Sequence, residues 1–321
     1  MAQDQLRWGI VSTIKAPLQE IADFAAYHLD LGAHRLFLYL DDDNPDAFEA
    51  LKKHPKIRVF KADAANWRSD NRPAKHQARQ SANARHAYRR KAGEIDWLAH
   101  IDVDEFLWPA SDLSGQLAAL PATCLCARIR PVEALSTDGI TDIPPGQTIF
   151  KAMTNNRAQR QRETEAIYPT FGAFLNGGFL SHVAGKLFIR TGIDGLGIKI
   201  HNIQLGEDQN PGQVELTGTE LCHMHAQSWQ AWMKTYRYRL EQGSYRPSLA
   251  PNRARDMGGM TMHELFRFLE DSEGEAGLRR FYDEVCLATP DLRARLSAQG
   301  LLRSYALGLD AKRARHFPEL A

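Results

Sequence analysis

No run of about 18 apolar residues occurs in this sequence, so nothing in it is long enough to cross a bilayer as a helix. The N-terminal stretch MAQDQLRWG lacks the apolar core of a secretory signal. Cysteine is scarce. Cys124, Cys126, Cys222 and Cys286 lack the spacing of a metal finger, and free thiols in a reducing compartment are the simplest account of them. Net charge is missing too: 40 Lys and Arg against 39 Asp and Glu leave +1, so no overall field directs the chain to nucleic acid or to an anionic membrane. Internal repeats and low-complexity tracts are absent. These absences predict a cytoplasmic protein that binds no nucleic acid, with peripheral membrane association left open.

What is present is an ordinary globular composition, 43% hydrophobic and 25% charged over 321 residues, enough for one large domain with a substantial extension. The first 110 residues alternate strand and helix patterns, which argues for βαβ units. Residues 9–14 read as a strand, and 18–31 as a helix with Ile21, Phe24, Ala25 and His28 on one face. Residues 35–40 form a second strand that stops at Asp41, Asp42 and Asp43, and 57–60 form a third. From Arg68 to Lys91 the chain is strongly basic. Ala74, Ala78 and Ala82, four apart, predict a helix there packed through an alanine seam. Ligands of open α/β sheets bind outside the carboxyl ends of the strands, so Thr13, Asp41, Asp43, Asp102 and Asp104 are expected to share one crevice.

The stretch DWLAHIDVDEFLWP, residues 96–109, carries the sharpest chemical signal. Trp97, Leu98, Ile101 and Val103 read as a buried strand that runs into Asp102, Asp104 and Glu105. Burying an unpaired carboxylate costs several kcal/mol, roughly, so these groups must meet water, a basic partner or a metal. In an extended segment Asp102 and Asp104 point to the same side and can reach one ion. Hard oxygen ligands favour Mg²⁺ or Mn²⁺, which keep coordination positions for phosphate oxygens. An Asp-rich turn that caps the next segment is the plainer alternative.

Other candidates lie further along. Lys75, Gln77, Arg79 and Gln80 near the start of the basic helix could meet a diphosphate, helped by the helix dipole; the alternative is a solvated face. Residues 133–168 show little periodicity and read as a long excursion. In the strand over 185–190, Lys186 and Arg190 share a side and are further phosphate candidates. Over 220–225, His223 and His225 face one way, suited to a metal or a phosphate, with a hydrogen-bonded core His as the alternative. Helices are expected over 229–242, 260–269 and 275–287, with one or two more over 290–309.

WLAHIDVDEFLWP, together with VSTIKAPLQEIADFAAYHLDLGAHRLFLYLDDD, resembles the nucleotide-sugar domain of the family 2-like glycosyltransferases that carry a DxDEF block. The resemblance implies an α/β, GT-A-like (Rossmann-like) mixed sheet flanked by helices, with a helical C-terminal extension. Residues 1–226 would form the catalytic domain that binds nucleotide sugar and acceptor, and 227–321 the extension. It further implies a metal-dependent hexosyltransferase that moves a sugar from a nucleoside-diphosphate donor, a UDP- or GDP-sugar, to a glycan or other hydroxyl acceptor with inversion. Asp102 and Asp104 would hold Mn²⁺ or Mg²⁺ against the donor diphosphate, His223 or His225 would complete the metal shell, and Asp41 or Asp43 would meet the base or ribose. An inverting step also needs a carboxylate as general base. Asp194, Glu163 and Glu133 are its candidates, with Asp194 preferred because it lies near the strand of Lys186 and Arg190. The same constellation would also serve a phosphohydrolase of nucleotide diphosphates, or a non-catalytic relative that holds a sugar nucleotide or glycan.

Overall fold

The computed structural model describes residues 6–61 and 72–320; the expected start of the basic helix at Arg68 lies outside the described residues. The chain runs β1 (Trp8–Ile14), α1 (Leu18–Asp30), β2 (Arg35–Leu40), α2 (Pro45–Leu51), β3 (Ile57–Phe60), α3 (His76–Arg90), β4 (Trp97–His100) and β5 (Glu105–Pro109). Next come α4 (Leu113–Ala118), β6 (Cys126–Ala134), β7 (Thr148–Lys151), α5 (Arg157–Ile167), β8 (Lys186–Arg190), β9 (Gly197–Ile198), β10 (Ile203–Leu205), β11 (Asp208–Gln209) and β12 (Val214–His223). The last part holds α6 (Trp229–Glu241), α7 (Met262–Glu273), α8 (Glu275–Val285), α9 (Pro290–Ala298), β13 (Leu302–Tyr305) and α10 (Leu309–His316). The result is a mixed α/β, GT-A-like architecture with helices after the sheet. By contact the chain forms two compact units, one of Met1–Arg130, Ala184–Leu221 and Gly308–Ala321, the other of Pro131–Val183 and Cys222–Leu307. The chain passes from one to the other inside β6 and inside β12.

In the first unit the strands lie in the order β8-β4-β1-β2-β3. β1 is parallel to β2 and β4, β2 is parallel to β3, and β8 runs antiparallel to β4. β1 is buried along its whole length, as a strand covered on both faces must be. The α1 helix buries eight of its residues, among them Ile21, Phe24, Ala25 and His28, and α10 is tied to it by ion pairs of Arg313 with Asp23 and Arg315 with Asp30. The α3 helix sends Ala84, Ala87 and Tyr88 into a cluster with Val11, Phe37, Leu98 and Ile189. The buried seam of α3 is therefore Gln80, Asn83, Ala84, Ala87 and Tyr88, and the expected Ala78 and Ala82 lie outside it. Alanine spacing alone does not tell which face of a polar helix turns inward.

The second unit contains β7, paired with the end of β6 at Glu133↔Lys151, and β13 antiparallel to β7. Its core is aromatic, with Trp232, Tyr236, Tyr245, Phe266, Phe281 and Tyr282 buried. Ser228 caps α6 by accepting from the Ala231 N–H at 3.1 Å, and Thr261 with Glu264 forms a capping box on α7. Two expectations are corrected here. Residues 133–168 hold β7 and α5, the latter capped by Asn156, and the expected helical stretch 290–309 contains the strand β13. All four cysteines are buried free thiols, and no helix among the described residues is long and apolar enough to cross a membrane.

His28 illustrates how burial sets a charge state. Its Nδ1 donates to Phe24 O at 2.8 Å while Nε2 accepts from the Leu107 N–H at 3.3 Å, so the ring is neutral. Burial lowers its pKa to about 3. The unfolded ring titrates near 6.5, so the unfolded chain binds the proton first, and stability is lost as pH falls from about 6.5 towards about 3. Urea midpoints should decline across that window. A His28→Leu variant should be less stable at pH 7 and should show a shallower decline, whereas an unchanged slope would remove His28 as its source.

Candidate active site

β4 ends at His100, and the chain then turns instead of extending. The Glu105 N–H donates to Asp102 O at 3.1 Å, and the Asp102 N–H donates to the Glu105 carboxylate at 2.8 Å. The expectation that Asp102 and Asp104 share one side of a strand is corrected: they sit in a turn between β4 and β5. The Asp102 carboxylate accepts from Lys186 Nζ at 2.7 Å and from Gln80 Nε2 at 2.5 Å. Lys186 opens β8, is 1% exposed and also lies 3.6 Å from Glu105. Burial alone would lower the pKa of this ammonium; Asp102 first, then Glu105 and Asp104, outweigh burial and hold it above its ordinary value.

The α3 helix is pinned to the carboxyl ends of three parallel strands. Just past β2, Asp41 accepts from Arg72 at 2.9 Å, from His76 at 2.9 Å and from Arg79 at 2.7 and 2.6 Å. Burial would raise its pKa, but His76, Arg79 and Arg72 overcome that and hold the carboxyl well below the usual range. At β1, Thr13 accepts from Asn83 Nδ2 at 3.0 Å. At β4 the link is Gln80 to Asp102. The structure thus gathers Thr13, Asp41 and Asp102 under one helix. Lys75 and Gln77 are exposed, and the inward positions belong to His76, Arg79, Gln80 and Asn83. His76 and Asn83 were missed by the sequence reading, although polar residues at 76, 79, 80 and 83 trace one helical face. Asp43 is exposed, and Asn44 caps α2 by accepting from the Ala47 N–H at 3.1 Å.

Arg190 and Asp194 are not brought to this place. Because β8 is antiparallel to β4, Arg190 pairs with Trp97 at the start of β4, four residues and so roughly 13 Å along the strand from Lys186. Its guanidinium donates to Cys124 O and Pro121 O and lies 4.4 Å from the centre of the Trp97 ring. Asp194 is exposed in the turn after it, beside Tyr88, whose hydroxyl donates to Arg190 O at 2.8 Å. Following β8 forward leads away from the carboxyl edge.

In the second unit Glu133, His223 and His225 have ligand atoms within 4.8 Å of one another. Among the described residues this is the His/Cys/Asp/Glu trio that converges so closely; Asp102, Asp104 and Glu105 do not. Glu133 is 1% exposed, accepts from the Leu180 and Ser181 N–H groups at 3.0 and 2.8 Å, and pairs with Lys151 at 3.2 Å. Burial would raise its pKa, but Lys151 and His225 bring it down to about 2. His225 Nε2 lies 3.0 Å from Arg239 Nη1.

The carboxyl edge of this mixed sheet gathers carboxylates, a buried lysine and polar helix side chains, and a family model identifies the chain as a glycosyltransferase. The model of glycosyltransferase family 92 matches residues 11–250, most of the chain, and the protein belongs to that family. No curated protein matches. The solved structure of HddC from Yersinia pseudotuberculosis aligns over 68% of this chain and 76% of its own at 10% identity, with a TM-score of 0.29, too loose a likeness to carry an argument.

The saturation of Asp41 makes a prediction. Losing the charge of a carboxylate that accepts several charged hydrogen bonds from partly exposed donors costs about 2 kcal/mol. Asp41→Asn should lower the urea unfolding free energy by roughly that amount, while Asp43→Asn, at an exposed position, should change it by less than about 0.5 kcal/mol.

Proposed function

We propose that this family 92 enzyme transfers a sugar from a UDP- or GDP-linked donor to a hydroxyl of a glycan or similar acceptor. Asp102 and Asp104 would hold Mn²⁺ or Mg²⁺ against the donor diphosphate. The observation that supports this most is a grouping of hard oxygen donors: Asp102, Asp104 and Glu105 surround the ammonium of Lys186 beyond the carboxyl end of β4. Carboxylate oxygens are the donors that Mg²⁺ and Mn²⁺ prefer. Once bound, the ion would supply Lewis-acid stabilisation of the charge that builds on the leaving diphosphate. Lys186 and Gln80 grip the two oxygens of Asp102 and so fix the orientation of that carboxylate before a donor arrives.

Glu133, His223 and His225 are the competing ligand set, favoured by convergence and disfavoured by charge. Lys151 pairs with Glu133 at 3.2 Å and Arg239 Nη1 lies 3.0 Å from His225 Nε2, so two cations flank this set and oppose a third. We therefore assign the ion to the Asp102 turn. An inverting displacement also needs a base. Asp194 sits by the far end of β8, and Glu133, held to a pKa of about 2, is too weak, so neither suits that role.

Calorimetric titration with Mn²⁺ plus UDP, and with Mn²⁺ plus GDP, tests the assignment. Wild type and His223→Ala should bind one of the two nucleotides in a metal-dependent way, and Asp104→Ala should weaken that binding about tenfold or more, the scale of a lost charged contact. Binding that survives Asp104→Ala and disappears in His223→Ala would move the ion to the histidine pair.

A further inference from the structure

The second unit holds a pocket of about 410 Å³ between residues 176–183 and 244–263, within the size range of small-molecule sites. We propose that this pocket binds a sugar bearing a carboxylate or a phosphate.

The chemistry of the lining supports an anionic ligand. Its ionisable cationic groups are Arg246, His182 and His263, and no Asp or Glu lines it. Arg246 is a fixed positive charge with no carboxylate beside it in the lining, a setting that favours an anion over a neutral sugar. A carboxylate or phosphate accepts only, and a guanidinium is the donor best shaped for it. Arg246 is already oriented: its Nε donates to Ser248 Oγ at 3.1 Å and its Nη1 to Gly243 O at 3.2 Å. Those bonds fix the guanidinium plane, and the proposal gives the ligand anion Nη2. Phe179, Leu249, Met260 and Met262 supply apolar surface for the C–H face of a sugar ring.

The walls are also built before a ligand arrives. Residues 176–183 hang on the buried pair of Glu133 and Lys151, through the Leu180 and Ser181 N–H groups to Glu133 and through Lys151 Nζ to Gly178 O at 2.6 Å. On the facing segment, Asn252 Nδ2 donates to Phe174 O at 2.9 Å, and His263 Nδ1 donates to Leu240 O at 3.0 Å. A site whose walls are already ordered spends less of its binding energy on ordering them.

The test titrates the full chain with glucuronate, glucose 6-phosphate and glucose, followed by ligand-observed NMR. At least one of the two anionic sugars should bind at least about tenfold more tightly than glucose, and which one binds names the anion. Arg246→Gln should remove most of that preference, and Arg246→Lys should restore part of it. Equal binding of glucose, no binding of any of the three, or an Arg246→Gln variant that keeps full preference would overturn the proposal. If the anionic sugar binds through Arg246 while no nucleotide binds with Mn²⁺, the pocket stands and the donor reading falls. Nucleotide binding without sugar binding removes the pocket alone.

Discussion

One buried ammonium organises the acidic end of the first unit. Lys186 is almost without solvent contact, and stripping water from a lysine costs several kcal/mol, roughly, unless partners replace it. Asp102 and Glu105 replace it, and they are themselves held together by the turn in which Glu105 accepts the Asp102 N–H. Gln80 adds α3 to the same point. A strand end, an antiparallel neighbour and a helix are therefore fixed by one cluster, and moving its carboxylates away would leave the buried Lys186 ammonium without its partners. Such rigidity is what a carboxylate needs if it is to meet a charged ligand without first reorganising.

The second unit uses the same device to a different end. Lys151 is wholly buried at the end of β7 and donates to Gly178 O and Val285 O while it pairs with Glu133. Here one ammonium meets one carboxylate, so the pair is neutral and the carboxylate's lone pairs go to backbone amides. The Lys186 cluster joins a strand end, its antiparallel neighbour and α3 through Asp102, Glu105 and Gln80. The output of the Lys151 pair is different: it sets the backbone of residues 176–181.

Much of the first unit was legible in the chain. The strands and helix over residues 8–40 and the strand over 57–60 follow from apolar periodicity, and the rule that ligands gather beyond strand ends led to Thr13, Asp41 and Asp102. The turn at 101–104 was legible only as the alternative to a strand, because Ile101 and Val103 alternate with aspartates as a strand would. What ends the strand is a local bond, Glu105 reaching back to the Asp102 N–H, and alternation carries no trace of it. The inward face of α3 was obscured for a related reason: its buried polar residues are chosen by partners on other strands, and its alanines lie on both sides. An interleaved division into units leaves little mark along the chain either, since two of its four crossings occur inside strands, β6 and β12, where composition does not change.

The direction of β8 decides which cation serves the site, and period-two spacing cannot reveal direction. Were β8 parallel to β4, Arg190 would reach the carboxyl end; being antiparallel, it delivers Lys186 there and leaves Arg190 stacked on Trp97 at the other end. The difference is chemical as well as geometric. A guanidinium is a wide fork that engages a carboxylate through two parallel bonds and would fill both oxygens of Asp102. An ammonium is a compact charge that takes one oxygen from Asp102 and lies close to Glu105. Lysine at this end of the strand therefore draws Asp102 and Glu105 together, where an arginine in the same position would engage Asp102 alone through both of its oxygens.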